Sequence, residues 1–171
     1  RAVGVDWGYH ERKELEAALA RLAAIRNGPP TIIAFGCHKE HGGADLTRVA
    51  DDGTATVAML CAAQLPPSFV EYALRAGADG VLVTGCRDGD CRYRLGNRWT
   101  EERLAAVREP HLRAAVPRER LKIAWAGRGD EERLRAVLAE FRRDLATGAQ
   151  LRRAAFAPPP STCSRRSRCR P

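Results

Sequence analysis

No stretch of this chain approaches about eighteen consecutive apolar residues, so no membrane-spanning helix is expected. No basic start leads into an apolar run, which argues against a secretory signal. With arginine at position 1, a processed or partial chain is expected, and the overall reading is cytoplasmic. No G-x-G-x-x-G follows the first apolar run, so the dinucleotide-binding fingerprint is missing. C-x-x-C is also missing, although the chain has six cysteines. That absence removes the knuckle pattern common in structural zinc sites and the usual redox dithiol.

Acidic residues are absent from Leu151 to the end, where six arginines (Arg152, Arg153, Arg165, Arg166, Arg168 and Arg170) supply most of the net charge of +8. The remainder is close to neutral, ordinary for a globular domain. Phe156 is the single aromatic residue among those arginines, fewer than a nucleic-acid surface would prefer. The tail's Pro, Ser and Arg content gives it little apolar area to offset its ordering entropy. Residues 148–171 are therefore expected to be a basic, disordered tail, with a basic nucleic-acid-binding module kept as a rival reading.

The segment "ERKELEAALARLAAIR" places Leu15, Leu19, Leu22 and Ile25 on one helical face, and Asn27-Gly28-Pro29-Pro30 ends it. Residues 1–30 read as a helical arm. From there to residue 147 short apolar runs alternate with helical patterns. The runs are "TIIAFGC", "TATVAMLC", "GVLVTGC" and "RLKIAWAG", rich in β-branched residues and without polar alternation. Between them lie "HGGADLTRVADD", "PPSFVEYALRAGA" and "RWTEERLAAVREPHLRAAV", the last with a start that Thr100 can cap. "GDEERLRAVLAEFRRDLA" closes the series, with Leu134, Leu138, Phe141 and Leu145 inward. Four strands alternating with helices predict an α/β fold, a flavodoxin-like or Rossmann-like parallel sheet with helices on both faces.

Three of those runs end in cysteine: Cys37, Cys61 and Cys86. In a parallel sheet of order 2-1-3-4 these ends share one edge, on neighbouring strands about 4.8 Å apart. Cys91 returns to that edge from the loop after the third strand. The other two cysteines, Cys163 and Cys169, lie in the tail. Four thiolates suit a [2Fe–2S] cluster, and ligands from separate loops suit its compact core. Gly36, Gly85, Gly89 and nearby backbone amides are expected to approach the sulfurs. Arg87, Arg92 and Arg94 would add positive charge. Zinc, thiol oxidoreductase chemistry and simple packing remain open on the residues alone.

The stretch "GADGVLVTGCRDGDCRYRLGN" resembles the signature of the delta subunit of methyl-viologen-reducing hydrogenase, an iron–sulfur electron-transfer family. The shared pattern is G-A-D-G-V-x-V-x-G-C-x-x-G-D-C, followed by tyrosine and G-N, here Tyr93, Gly96 and Asn97. "IIAFGC…GGAD" and "MLC…PPSFVEYAL" resemble the family's upstream cysteine segments, so the likeness spans about residues 31–145. Two positions depart from it. Arg92 stands where the family has histidine, and the first loop carries Cys37 alone where the family has a cysteine pair. His38 or His41 is thus a candidate nitrogen ligand.

The resemblance implies a [2Fe–2S] cluster on Cys37, Cys61, Cys86 and Cys91. It also implies one-electron transfer between a hydrogenase- or formate-dehydrogenase-type donor and a heterodisulfide-reductase-like complex, in a hetero-oligomer. FAD would sit in a partner subunit. On this reading the chain is a subunit of an oxidoreductase complex and not an independent catalyst. Asp88 and Asp90 lack a nucleophile–base–orienter set, and Asp90 is expected to hydrogen-bond the cysteine loop. "AGRGDEE" is expected only to start the last helix. His10 and His111 read as surface residues. Among Trp7, Trp99 and Trp125, Trp99 is the expected interface residue.

Overall fold

A computed structural model describes residues 4–24 and 28–155, with the side chains of 12–24 and 28–148. Ile25, Asn27, the side chains of Trp7, His10, Arg152 and Arg153, and the tail cysteines and remaining tail arginines lie outside the described residues. The sheet has four strands, β1 (Ile32–Cys37), β2 (Thr54–Met59), β3 (Gly80–Val83) and β4 (Leu121–Ile123). All pair in parallel, in the order β2-β1-β3-β4 expected from the sequence. The helices are α1 (Gly4–Ala23), α2 (Leu46–Val49), α3 (Pro67–Arg75), α4 (Gly96–Leu104) and α5 (Glu131–Ala155).

The two-residue period of the strands divides the core. Ile33, Phe35, Val57, Val81 and Val83 pack with α1, α3 and α4 residues on one face. Ile32, Ala34 and Leu82 pack with α2 and α5 residues on the other. Both faces are therefore dry, which is why these strands are apolar throughout. Among the described residues no helix is long and apolar enough to cross a membrane.

Four expectations need correction. The first helix is not an added arm: Leu15, Ala18, Leu19 and Leu22 are buried in the same core as β1, β2 and α3. Its apolar stripe covers the β2 side of the sheet that α3 leaves open. The fourth helical segment ends at Leu104. Beyond it Ala106 sits at φ 64° and the chain turns, so that Leu112 and Val116 bury as isolated anchors. Thr100 does not cap that helix, which starts earlier, at Gly96; its hydroxyl donates to Gly96 O at 2.8 Å from within the helix. The last helix also runs past residue 147 to Ala155.

Candidate functional site

Register sets where the thiols arrive. Cys37 is the last residue of β1 and is level with Met59 of β2, so Cys61 emerges two residues further on. Phe35 is level with Val83, which brings Cys86 out on the adjacent β3 connection. Cys91 closes the group from the following loop. All four are free, buried and clustered, with Ala62, Ala63 and Trp125 around them. The sequence thus identified the meeting point. Only Cys37 lies within a strand; Cys61 and Cys86 lie in the turns beyond.

Local backbone turns its donors toward these sulfurs. After β2 a 3-10 turn, Ala62–Gln64, uses Cys61 as its N-cap. Ala62 N donates to Cys37 Sγ at 3.1 Å, and Ala63 N to Cys61 Sγ at 3.4 Å. The Arg92 amide bonds Cys86, whose Sγ donates to His41 O at 3.3 Å. The N-terminus of α4 abuts the group: a Cβ added to Gly96 would stand 2.8 Å from Cys91 Sγ and 3.0 Å from Cys61 Sγ. A helix N-terminus and free amides favour anionic sulfur.

The thiols share charge unequally. Cys61 is pulled down to about 6, chiefly because Cys37 donates a hydrogen bond to it. Cys37 is correspondingly pushed up, first by that bond and then by burial. Burial raises Cys86. Among the described residues, no group of three or more His, Cys, Asp or Glu is arranged to hold a metal ion as it stands. The thiols instead hydrogen-bond one another. Their chemistry nonetheless fits a cationic metal core: four soft donors in one buried group, with N–H groups already on three sulfurs.

The supporting residues differ from those expected. Gly36 packs against Thr84 and Leu46, Gly85 faces Trp125 and Asn97, and Gly89 sits in an open turn at φ 83°. Among the described residues the amides on sulfur are the nearby ones of Ala62, Ala63 and Arg92. Asp90 is exposed and its side chain makes no hydrogen bond among the described residues. The loop is held by Asn97, whose Nδ2 donates to Cys86 O at 2.9 Å. Asn97 is a buried polar residue on α4, in step with Thr100 and Leu104. That helical spacing was the available signal.

Arg87 does not lie free beside the sulfurs; it forms a two-point bridge to Asp130, at 2.7 and 3.1 Å. The carboxylate also accepts from Gly127 N at 3.0 Å, tying the cysteine loop to the start of α5. That bridge holds Asp130's carboxyl below its usual range. "AGRGDEE" thus does start the last helix, and it also buttresses the thiols. Gly43 bridges Cys86 and Gly127, and a side chain there would strike Cys37 O. Trp125 walls the site, its Nε1 donating to Glu101 at 2.5 Å.

Neither histidine is assembled into a ligand set. His38 Nδ1 accepts from Glu40 N at 3.4 Å, within its own turn. His41 reaches the site through its carbonyl, while its Nδ1 is buried without a partner. Arg92 and Arg94 are exposed, as is Trp99.

Comparison with known proteins agrees with the sequence signature. A stretch of 140 residues, 79% of this chain, is 30% identical to a ferredoxin:CoB-CoM heterodisulfide reductase subunit of Methanosarcina mazei, covering 18% of that protein. The chain thus spans less than a fifth of that relative's length. The iron-sulfur subunit of the F420-non-reducing hydrogenase vhc of Methanococcus voltae is 28% identical over 120 residues, 67% of this chain and 83% of that protein. The F420-non-reducing hydrogenase iron-sulfur subunit of Archaeoglobus profundus is 32% identical over 81 residues, 47% of this chain and 59% of that protein. The sequence profile of the methyl-viologen-reducing hydrogenase delta subunit matches residues 32–147, the whole sheet and most of α5. The chain belongs to the methyl-viologen-reducing hydrogenase delta subunit family.

Proposed function

We propose that this chain is an electron-transfer subunit holding a [2Fe–2S] cluster on Cys37, Cys61, Cys86 and Cys91. It relays single electrons between a hydrogenase- or formate-dehydrogenase-type donor and a heterodisulfide-reductase-like complex that carries the flavin. The carrying observation is the gathering of four free, buried thiols at one sheet edge, with backbone N–H groups on the sulfurs. The names of the relatives, hydrogenase iron-sulfur subunits and a heterodisulfide reductase subunit, support the same assignment.

When bound, such a cluster supplies a site that gains and loses one electron without moving heavy atoms. The chain's residues would do the rest. Ala62, Ala63 and Arg92 amides stabilise the sulfur charge, and so favour the electron-rich form. Trp125 and the buried walls exclude water. Asn97 and the Arg87–Asp130 bridge hold the Cys86–Cys91 loop in place while charge changes, keeping reorganisation small.

Anaerobic purification followed by metal and sulfide analysis tests this. The expected result is a brown protein with about two irons and two acid-labile sulfides per chain, and an EPR signal on reduction. A colourless protein carrying zinc would overturn the assignment.

A further inference from the structure

Beside the cysteine loop the surface carries exposed apolar side chains, with the Arg108 guanidinium 5.1 Å over the Trp99 ring. Arg92, Tyr93, Arg94 and Leu95 are exposed in succession, immediately after Cys91. Trp99 follows one turn later, its N–H bonded to Leu95 O. Tyr93 is 49% exposed, Leu95 42% and Trp99 41%, so three of the large exposed apolar side chains fall within seven residues. Nearby arginines are mostly engaged: Arg87 on Asp130, Arg98 and Arg108 on Glu102. Arg92 and Arg94 form no ion pair among the described residues. Arg94 moreover sits at φ 64°, a conformation costly for a residue with a side chain. Its N–H bonds Cys91 O at 2.7 Å, so that strained turn fixes the loop and projects the guanidinium outward.

We infer that the face formed by Arg92, Tyr93, Arg94, Leu95 and Trp99 docks a small acidic electron-carrier protein, with carboxylates ringing an apolar hollow near its redox group. The inference rests on the electron-transfer reading above. Two unpaired cations beside an aromatic centre attract carboxylates and desolvate on contact, and such complementarity steers encounter more than it tightens binding. Three half-exposed apolar side chains make a small patch. That suits the low-area, transient contact of redox partners and not an obligate subunit interface. Its place within a few residues of Cys91 would put the visiting carrier's redox group on the shortest path to the thiols.

The test uses the full-length chain, isolated anaerobically, and an acidic plant-type [2Fe–2S] ferredoxin as the probe, titrated by calorimetry. Raising the salt from about 20 to 300 mM shortens the screening length severalfold and should weaken binding by about tenfold or more. Arg94→Glu should weaken it by at least about tenfold at low salt. Arg75→Glu, in the last turn of α3, changes the net charge equally and should leave affinity alone. Trp99→Ala, a milder change, should weaken binding while iron content stays at the parental value. Four outcomes would overturn the inference: no binding, binding insensitive to salt, equal losses for Arg94→Glu and Arg75→Glu, or equal affinity for a basic cytochrome c. Iron and sulfide counts on the same samples separate this from the cluster assignment, since a metal-free parent would refute the latter whatever the calorimeter reads.

Discussion

Gly96→Ala should destabilise the metal-loaded protein and leave the stripped protein almost untouched. The added Cβ would lie 2.8 Å from Cys91 Sγ and 3.0 Å from Cys61 Sγ. Ordinary contact is about 3.5–4.0 Å, so the methyl overlaps the nearer sulfur by roughly 0.7 Å or more. Overpacking of that kind costs about 1–3 kcal/mol where neighbours cannot move. Alanine gains at most about 1 kcal/mol over glycine in a helix, and less in a first turn. The net is a loss of about 1–2 kcal/mol when both sulfurs are fixed by coordination. Without coordination each thiol can give up its hydrogen bonds and turn about χ1, so the loss should shrink. For a chain of this size the loaded form should melt about 2–8 °C lower, and the stripped form within about 2 °C of its parent. Gly89→Ala is the contrast: its φ of 83° penalises any side chain and nothing lies within 4 Å of the new Cβ. It should cost about 1–2 kcal/mol in both forms. Scanning calorimetry of the four samples decides. Equal shifts of loaded and stripped Gly96→Ala would refute the idea that Cys61 and Cys91 grip one group.

Asn97→Ala removes the only side-chain bond on Cys86 O among the described residues and should lower stability by about 1–3 kcal/mol in urea titrations. Asp130→Asn keeps a side-chain oxygen able to accept from Gly127 N but loses the charge paired with Arg87. Because that pairing depresses the folded pKa, its stabilisation is present above the unfolded value of about 3.9 and disappears as pH falls through the folded value. The gap in thermal midpoint between Asp130→Asn and its parent should therefore be full at pH 7 and close as the solution is acidified below the ordinary aspartate value of about 3.9. Arg94→Gly should act in opposite directions: relief of the φ 64° conformation raises the melting midpoint by an amount corresponding to about 1 kcal/mol, while affinity for the acidic ferredoxin falls.

The sheet and the thiol cluster were legible because each rests on a pattern that repeats. Apolar runs without alternation specify doubly covered strands, and three runs ending near Cys37, Cys61 and Cys86 specify one edge. The supports were not legible, because they depend on register between distant segments. Ala62 N meets Cys37 Sγ only because β1 and β2 pair with Cys37 level with Met59. Asp130 reaches Arg87 across 43 positions of sequence. The mistaken reading of α1 as an arm has a similar origin. Periodicity shows that Leu15, Leu19 and Leu22 share a face, but not which surface that face covers.

The protonation pattern connects the site's geometry to its proposed use. Cys37 and Cys61 divide one hydrogen bond, so ionising Cys61 is stabilised by a Cys37 that keeps its proton. Cys86 is also held toward its neutral form by burial. Four thiolates in this space would repel one another with too few amides to compensate, since only Ala62, Ala63 and Arg92 supply N–H groups among the described contacts. A cationic core placed between them reverses that balance, because each sulfur then loses its proton to gain a bond. Loading should consequently release thiol protons, fewer of them from Cys61, which the hydrogen bond from Cys37 holds toward its thiolate, than from Cys37 and Cys86. When the reduced, metal-free chain is titrated with zinc ion alone, which brings no sulfide protons of its own, and release is read with a pH-sensitive dye near pH 7.5, fewer than the four protons of four neutral thiols should appear, because Cys61 is held toward its thiolate. Cys61→Ser should leave that count nearly unchanged while weakening retention of the metal, whereas Cys37→Ser should lower it by about one. The reverse ranking would mean that the proton shared by this pair resides on Cys61, and that the β2 turn does not build the anionic end of the site.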